Sequence, residues 1–344
     1  MMRVALDMSH VRQTDAGTAR YARGLSNALR ARNDVIVDEV GEGPLIGRGL
    51  QKKVLTAEQD LFWYPYAGRR AAQVLDADIY HCPAFRAPVT RGRPALVVTV
   101  HDLVSLRFPE TMPRWSRFYT RATLRRVLDS ADLLITPSAD TANDLEQLAG
   151  VGHDRIRVIW NAVDDAFYAQ PTGRSPIDGP YVLFVGTSEP RKNLQRLCNA
   201  VDLLRRRGLD HKLVVAGGGG WGGVDLSGSH VIRLGKQTDA ELHQLYSGAV
   251  CLAQVSLHEG FGLPVAEAMA AGAPVVISGE GALPEVAGNA AVHVNAYDEE
   301  SIASGIERAV TERDQLVILG RKRAELFRWD VNANLHVDAY RKAL

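Results

Sequence analysis

Short apolar runs recur along the chain, each followed by a stretch whose apolar positions repeat with helical spacing. Residues 3–8 read as a buried strand, and from Thr18 onward Tyr21, Leu25 and Leu29 mark one face of a helix. Further strand-like runs at 79–81, 95–100, 133–136 and 156–159 alternate with helical stretches such as 114–130. That alternation predicts a parallel sheet. Residues 165–180 then carry Pro171, Gly173, Pro176, Gly179 and Pro180 with no apolar period, which marks a linker. Beyond it the same order restarts, with a strand at 181–185, a helix at 194–207, a strand at 212–216 and the glycine cluster 217–220. The run 249–255 reads as another buried strand, Pro264 opens a helix that Gly272 ends, and a last helix covers 331–344. The expectation is an α/β protein of two doubly wound, Rossmann-like domains, 1–168 and 181–326, with a linker at 169–180. Ligands are expected at the carboxyl ends of the strands, in a cleft between the domains.

Composition narrows this further. A chain of 344 residues with 46% hydrophobic content is long enough for two domains and too apolar for disorder. Lys and Arg number 40 against 40 Asp and Glu, so bulk charge indicates neither nucleic acid nor an acidic partner. Cys82, Cys198 and Cys251 lie far apart without CxxC spacing, which argues against a zinc site and offers no disulfide framework. Arg3 and Asp7 interrupt the first apolar segment, and no stretch approaches the length that spans a bilayer. The expected compartment is the cytoplasm.

The richest chemistry lies between Glu259 and Glu267, where Gly260, Phe261, Gly262, Leu263 and Pro264 lead from the strand at 249–255 into the next helix. Glu267 is placed in that helix's first turn and Glu259 in the loop before it. The N–H groups of Gly262 and Leu263 have no partner inside the helix and point outward with the positive end of its dipole, which suits a phosphate. A carboxylate accepts two hydrogen bonds, so Glu267 suits the vicinal hydroxyls of a ribose and Glu259 those of a transferred sugar. The bland alternative is a first-turn acid that complements the dipole and a second acid in a solvated loop.

The segment from Glu259 to Val276 resembles the EX7E signature of retaining glycosyltransferases of the GT-B fold, in particular glycosyltransferase family 4 (GT4). Both acids agree, as do the Gly-Phe-Gly-Leu-Pro between them and the Ala-Met-Ala-Ala-Gly-Ala-Pro-Val-Val that follows Glu267. Gly186, Thr187, Ser188, Glu189, Pro190, Arg191, Lys192 and Asn193 resemble the family's Glu-Pro-Arg-Lys-Asn segment, whose Arg and Lys grip the donor diphosphate. Departure of a nucleoside diphosphate leaves negative charge that fixed cations or a metal must stabilise. Residues 15–21, with Gly17 at the mouth of the first helix, resemble the segment whose backbone approaches the donor phosphate, although Ala19 stands where the family has its second glycine. His101-Asp102-Leu103, after the strand at 95–100, resembles a run found in family mannosyltransferases, in which the histidine faces the sugar. Taken locally, a neutral His101 bonding a sugar hydroxyl and a structural His101 beside a turn-forming Asp102 are both open.

The resemblance implies a hexosyltransferase that retains anomeric configuration by same-face attack and requires no bound metal. It implies a catalytic set of His101, Arg191, Lys192 and Glu259, and donor contacts from Gly17, Gly186, Thr187, Arg191, Lys192, Glu259, Gly260, Phe261, Gly262, Leu263 and Glu267. The donor implied is GDP-mannose, with UDP-hexoses as the alternative, and the acceptor a saccharide or a lipid-linked intermediate. The lead-in 327–329 implies a terminal helix, 327–344, that returns to the first domain.

Asp76-Ala77-Asp78 spells the DxD of the other large glycosyltransferase fold, but it precedes the strand at 79–81, at an amino end and so away from any ligand. Between Arg86 and Arg126 stand nine arginines (86, 91, 93, 107, 114, 117, 121, 125 and 126) against Asp102 and Glu110. With Trp115, Phe118 and Ala122 on an adjoining stripe, that stretch is either a face for anionic lipid headgroups, giving peripheral attachment at the membrane's inner face, or a solvated face of a core-packed helix. Two rival functions are a Rossmann oxidoreductase using the cluster at Gly217, which lacks the GxGxxG pattern and its following acid, and a two-lobed binding protein without catalysis.

Overall fold

The computed structural model describes the chain except residues 47–48, 109–113, 220–223, 225, 227 and 229, and the side chains of 114–121 also lie outside the description. It divides into two compact units, Met1–Ala162 with Trp329–Leu344, and Val163–Arg328. The proline- and glycine-rich segment at 169–180 falls inside the second.

The first unit runs β1 (Met2–Asp7), α1 (Gly17–Arg30), β2 (Val35–Val40), α2 (Leu50–Glu58), α3 (Gly68–Val74), β3 (Ile79–Cys82) and β4 (Ala95–Thr99). It continues with α4 (Val104–Arg107), α5 (Arg114–Ser130), β5 (Leu133–Thr136), α6 (Ala139–Ala149) and β6 (Ile156–Val158). Its parallel sheet has the order β2-β1-β3-β4-β5-β6, so the winding reverses between β1 and β3. Successive side chains of a strand point to opposite faces, and here each face has its own core. Tyr80, Leu96, Val98 and Leu134 pack on one side, while Ile79, Val97, Leu133 and Ile135 pack on the other against Tyr21, Leu25 and Leu29 of α1.

The second unit runs β7 (Tyr181–Val185), α7 (Leu194–Arg206), β8 (Lys212–Ala216), β9 (Val231–Gly235), α8 (Asp239–Gly248) and β10 (Cys251–Gln254). There follow α9 (Leu263–Ala270), β11 (Val275–Ser278), α10 (Leu283–Ala287), β12 (Val292–Val294), α11 (Glu299–Thr311) and α12 (Arg313–Ala324). Its parallel sheet reads β9-β8-β7-β10-β11-β12 from one edge, and its winding reverses between β7 and β10. In such sheets the loops leaving the two strands at the reversal diverge to opposite faces and leave room for a ligand between them.

The last helix, α13 (Trp329–Ala343), belongs to the first unit and lays Ala333, Val337 and Tyr340 on the α1 side of its sheet. A buried polar chain anchors it. His336 Nδ1 is 2.9 Å from the Asn332 carbonyl, which only accepts, so Nδ1 carries the proton and Nε2 is left to accept from the Tyr21 hydroxyl at 2.8 Å. Tyr21 Oη then accepts from Thr99 at 3.2 Å, Thr99 accepts from His81 Nε2 at 2.8 Å, and His81 Nδ1 accepts from the Tyr340 hydroxyl at 2.7 Å. One carbonyl thereby sets the proton position on every member of the chain. Both histidines are neutral: burial depresses His81 well below its ordinary value and His336 to about 4.

Asp78 precedes β3 and accepts from the Arg3 backbone N–H at 2.8 Å, a structural use that matches its place at the amino end of the sheet. The three cysteines are free and buried. Among the described residues no helix is long and apolar enough to cross a membrane.

Candidate functional site

The five residues of β7 are all buried, and the chain leaves the sheet at Gly186. There the β7 and β8 ends lie so close that a Cβ on Gly217 would stand 2.1 Å from the Gly186 carbonyl oxygen. The glycine at 217 is thus explained by backbone packing. Thr187 donates to Glu189 at 2.6 Å, and Pro190 starts a single tight turn that ends at Asn193 in the left-handed conformation. Asparagine tolerates that conformation, and here its buried amide also donates to the carbonyls of Val255 at 3.0 Å and Ala296 at 2.7 Å. With the Leu257 N–H donating to the Arg191 carbonyl at 2.8 Å, the loop after β7 is tied to the end of β10.

This tie delivers the charges to one point. Lys192 Nζ donates to Glu259 Oε1 at 2.5 Å, and Arg191 donates to Glu259 Oε2 at 3.1 Å and to the His258 carbonyl. Glu189 lies 3.4 Å from the Arg191 guanidinium. Ser256 at 2.7 Å and Gln254 at 3.2 Å also donate to Glu259 Oε1. Burial alone would raise the Glu259 pKa, but Lys192 and Arg191 overcome that and hold it at about 2, so the carboxylate stays ionised. Four donors and so low a basicity make Glu259 a poor nucleophile and a poor general base. The carboxylate holds two cations at the reversal point of the sheet.

Glu267 occupies a different position from the one expected. The helix begins at Leu263, which puts Glu267 in its second turn, with no acid in the first. It is 1% exposed and accepts from the Tyr246 hydroxyl of α8 at 2.9 Å. Arg191, Lys192 and Glu259 therefore form one ion-paired cluster, while Glu267 is oriented separately from α8. Gly262 caps α9 in the left-handed conformation at φ +96°, and a Cβ there would meet Leu283 at 2.4 Å. Among the described residues the N–H groups of Gly262 and Leu263 donate to no protein acceptor. Gly260 lies between Glu259 and this cap, and the Phe261 ring packs edge-on against Phe327 at 5.6 Å, inside the core.

In the first unit, Gly17 is the first residue of α1, and a Cβ there would meet nothing within 4 Å. His101 follows β4, half-buried, and its Nε2 donates to the Pro83 carbonyl at 3.0 Å, which leaves the Nδ1 lone pair as an acceptor. Burial lowers its pKa and keeps it neutral. Its ring stands edge-on to Tyr21 at 4.9 Å. Asp102 accepts from the Val104 N–H at 3.1 Å, the turn-forming use.

In the basic stretch, Arg86 pairs with Asp60 at 2.9 Å, Arg107 with Asp144 at 2.6 Å and Arg125 with Asp129 at 3.1 Å, while Arg91 donates to the Asp129 carbonyl at 2.9 Å. The side chains of Arg114, Trp115, Arg117, Phe118 and Arg121, and Glu110 itself, lie outside the described residues. Of the described arginines, Arg86 and Arg107 are drawn onto the buried acids Asp60 and Asp144, while Arg91, Arg93, Arg125 and Arg126 are exposed.

Ser256, Gln254 and Tyr246 complete the site and were not singled out from sequence, and Asn193 was named there only as the end of the resembling segment. Asn193 alone had a signal, being a left-handed-tolerant residue directly after two cations; the others are recognisable only from their partners.

Comparison with known proteins agrees with this geometry. The family description "Glycosyltransferase Family 4" matches residues 16–167, and "Glycosyl transferases group 1" matches residues 170–325. The chain is 31% identical to O-antigen chain mannosyltransferase B of Escherichia coli, over 76% of its own length and 74% of that protein's. The chain belongs to glycosyltransferase family 4. This glycosyltransferase is also 27% identical to the O-antigen chain mannosyltransferase RfbU of Salmonella typhimurium, over 72% of its own length and 70% of that protein's. It spans about a third, 33%, of the serotype-specific mannosyltransferase WbdA of Escherichia coli, at 28% identity. Among solved structures, sucrose-phosphate synthase from Thermosynechococcus elongatus superposes with a TM-score of 0.74 at 21% identity, covering 99% of this chain and 98% of that one. Anabaena HepE in complex with UDP-glucose does so with a TM-score of 0.70 at 16% identity, covering 98% and 99%. These likenesses identify the fold of the transferase as GT-B.

Proposed function

We propose that this glycosyltransferase moves mannose from GDP-mannose to a hydroxyl of a saccharide or lipid-linked acceptor, retaining anomeric configuration and using no catalytic metal. The observation that carries this reading is the Lys192–Glu259–Arg191 cluster at the strand reversal between β7 and β10. As the bond from the sugar's anomeric carbon to the β-phosphate breaks, the electron pair stays on the phosphate oxygen, where Arg191 and Lys192 stabilise it. The acceptor hydroxyl attacks from the same face, and its proton passes to that oxygen. The unpartnered N–H groups at the start of α9 suit a phosphate, Glu267 takes the ribose hydroxyls, and His101 Nδ1 accepts from a sugar hydroxyl. Gly17 and Gly186 are the proposed points of close backbone approach, with Thr187 beside them. Residues 1–168 are assigned to the acceptor side, 181–326 to the donor.

The choice of mannose rests on the mannosyltransferase names of the relatives, at 31% and 27% identity. A UDP-hexose donor is the alternative, suggested by the UDP-glucose bound in the HepE structure. Incubation with a panel of GDP- and UDP-sugars and simple glycoside acceptors, read by mass spectrometry and product anomer by NMR, is expected to show hexose transfer with retention. Binding of a donor with no turnover, hydrolysis included, would make the protein a binder. Glu267→Ala is expected to raise the donor KM about 10- to 100-fold with little change in kcat, the effect of losing a hydrogen bond to a charged group worth about 1.5–3 kcal/mol. A changed kcat at unchanged KM would remove Glu267 from the nucleotide.

A further inference from the structure

Cys198 and Asp202 stand four residues apart on α7, so their side chains share one strip of the helix surface. His230, the residue before β9, meets them there. The Cys198 thiol, an Asp202 carboxylate oxygen and a His230 ring nitrogen all lie within 4.8 Å of one another. The histidine supplies a second, independent observation. Its side chain is only 9% exposed, and its Nε2 is 3.2 Å from Asp202 Oδ1. Yet that nitrogen makes no hydrogen bond among the described residues. A buried ring nitrogen left without a partner is unfavourable, and a bound ion would remove that cost. A ring nitrogen and a carboxylate oxygen this close without hydrogen-bond geometry match the spacing of two ligands around a shared cation. Tetrahedral ligands with bonds of about 2.0–2.1 Å to zinc stand roughly 3.3 Å apart.

We propose that Cys198, Asp202 and His230 bind a divalent transition-metal ion of the zinc class, with water in the fourth position. Sulfur, nitrogen and oxygen donors together suit such a borderline-soft ion and exclude the all-oxygen preference of magnesium and calcium. On binding, the thiol releases its proton to solvent as the sulfur–metal bond forms, and His230 donates the Nε2 lone pair with its proton on Nδ1. The ion joins α7 to β9, the edge strand of the second unit's sheet. It sits at the amino end of β9, whereas the sugar-nucleotide groups follow the carboxyl ends of β7 and β10, so it takes no part in glycosyl transfer. No local pattern pointed to it, because the donors come from one helix face and a residue far downstream.

Untagged, chelator-treated protein titrated with Co2+ tests this. A single equivalent is expected to produce near-ultraviolet thiolate-to-cobalt charge transfer and the intense visible bands of a tetrahedral site, both abolished by added Zn2+. Cys198→Ser is expected to lose the charge-transfer band while keeping wild-type hexose transfer, whichever donor the enzyme uses. His230→Ala and the more exposed Asp202→Asn are expected to weaken binding by more than the roughly 10- to 100-fold that loss of an outer-shell partner costs. Absence of a thiolate band in the wild type overturns the proposal. So does a band that survives in Cys198→Ser, because Cys82 and Cys251 are 1% and 0% exposed and cannot be the donor without unfolding.

Discussion

Glu259→Ala is expected to lower kcat by at least about 10²-fold, the scale set by removing one preorganised electrostatic contact from a transition state. The effect is indirect. Among the described residues Glu259 is the carboxylate that Lys192 and Arg191 share, at 2.5 and 3.1 Å, so its loss leaves two nearly buried cations to repel and turn away from the proposed point of diphosphate departure. Removing one partner of such a group costs about 3–5 kcal/mol, and apparent Tm is expected to fall as well. Turnover must therefore be measured on the folded fraction. Glu259→Gln separates the roles: it keeps an oxygen acceptor for Lys192 without the charge, and is expected to recover part of the stability but little of the rate. Wild-type kcat in folded Glu259→Ala would show that the cluster does not serve the reaction. Acidity gives a second check. Because the folded pKa is about 2 against an ordinary 4.5, the stability this carboxylate contributes is present above pH 4.5 and lost only as pH falls through about 2.

Acid is expected to act earlier, through the first unit. His336 titrates near 4 when folded against an ordinary 6.5, and His81 is pushed in the same direction, both by burial. A depressed histidine contributes its full stability above pH 6.5; below that the unfolded chain takes up protons first, and stability falls until the folded pKa is reached. For His336 alone the span corresponds to on the order of 3 kcal/mol. Apparent Tm should therefore drop steadily between pH 6.5 and 4, a window in which Glu259 stays ionised. Protonating His336 Nε2 would set two donors against each other at Tyr21, and the same polarity conflict would run through Thr99 and His81 to Tyr340. His336→Gln is expected to flatten the acid limb, and His336→Ala to lower Tm at every pH by stranding the Tyr21 hydroxyl, at a cost of about 3 kcal/mol or more with the cavity included. Equal acid sensitivity in the wild type and His336→Gln would place the titration elsewhere.

The strands at 133–136, 181–185 and 212–216 were readable because a parallel strand covered on both faces must be apolar throughout, and their observed limits are the same. Strands β2 and β9 were not readable. Each lies at a sheet edge and mixes polar with apolar residues, as in the half-exposed Val-Ile-Arg-Leu-Gly of β9. Residues 41–78 were equally opaque, since Phe62, Tyr66 and Val74 are exposed there and carry no helical stripe.

The sequence by itself determined the alternation of strand and helix, the loop-borne position of Arg191, Lys192 and Glu259, and the family to which the chain belongs. These follow from local pattern: burial on two faces, a proline or glycine at a helix end, a motif within one loop. Only the tertiary structure decided which groups meet. Lys192 reaches Glu259 because β7 and β10 are neighbours in the sheet, Glu267 turns to Tyr246 because α8 packs beside α9, and His336 reaches Tyr21 because the last helix lies against α1. Each of those contacts joins residues distant in the chain, and strand order and helix docking are settled by the packing of whole elements, which no local pattern encodes.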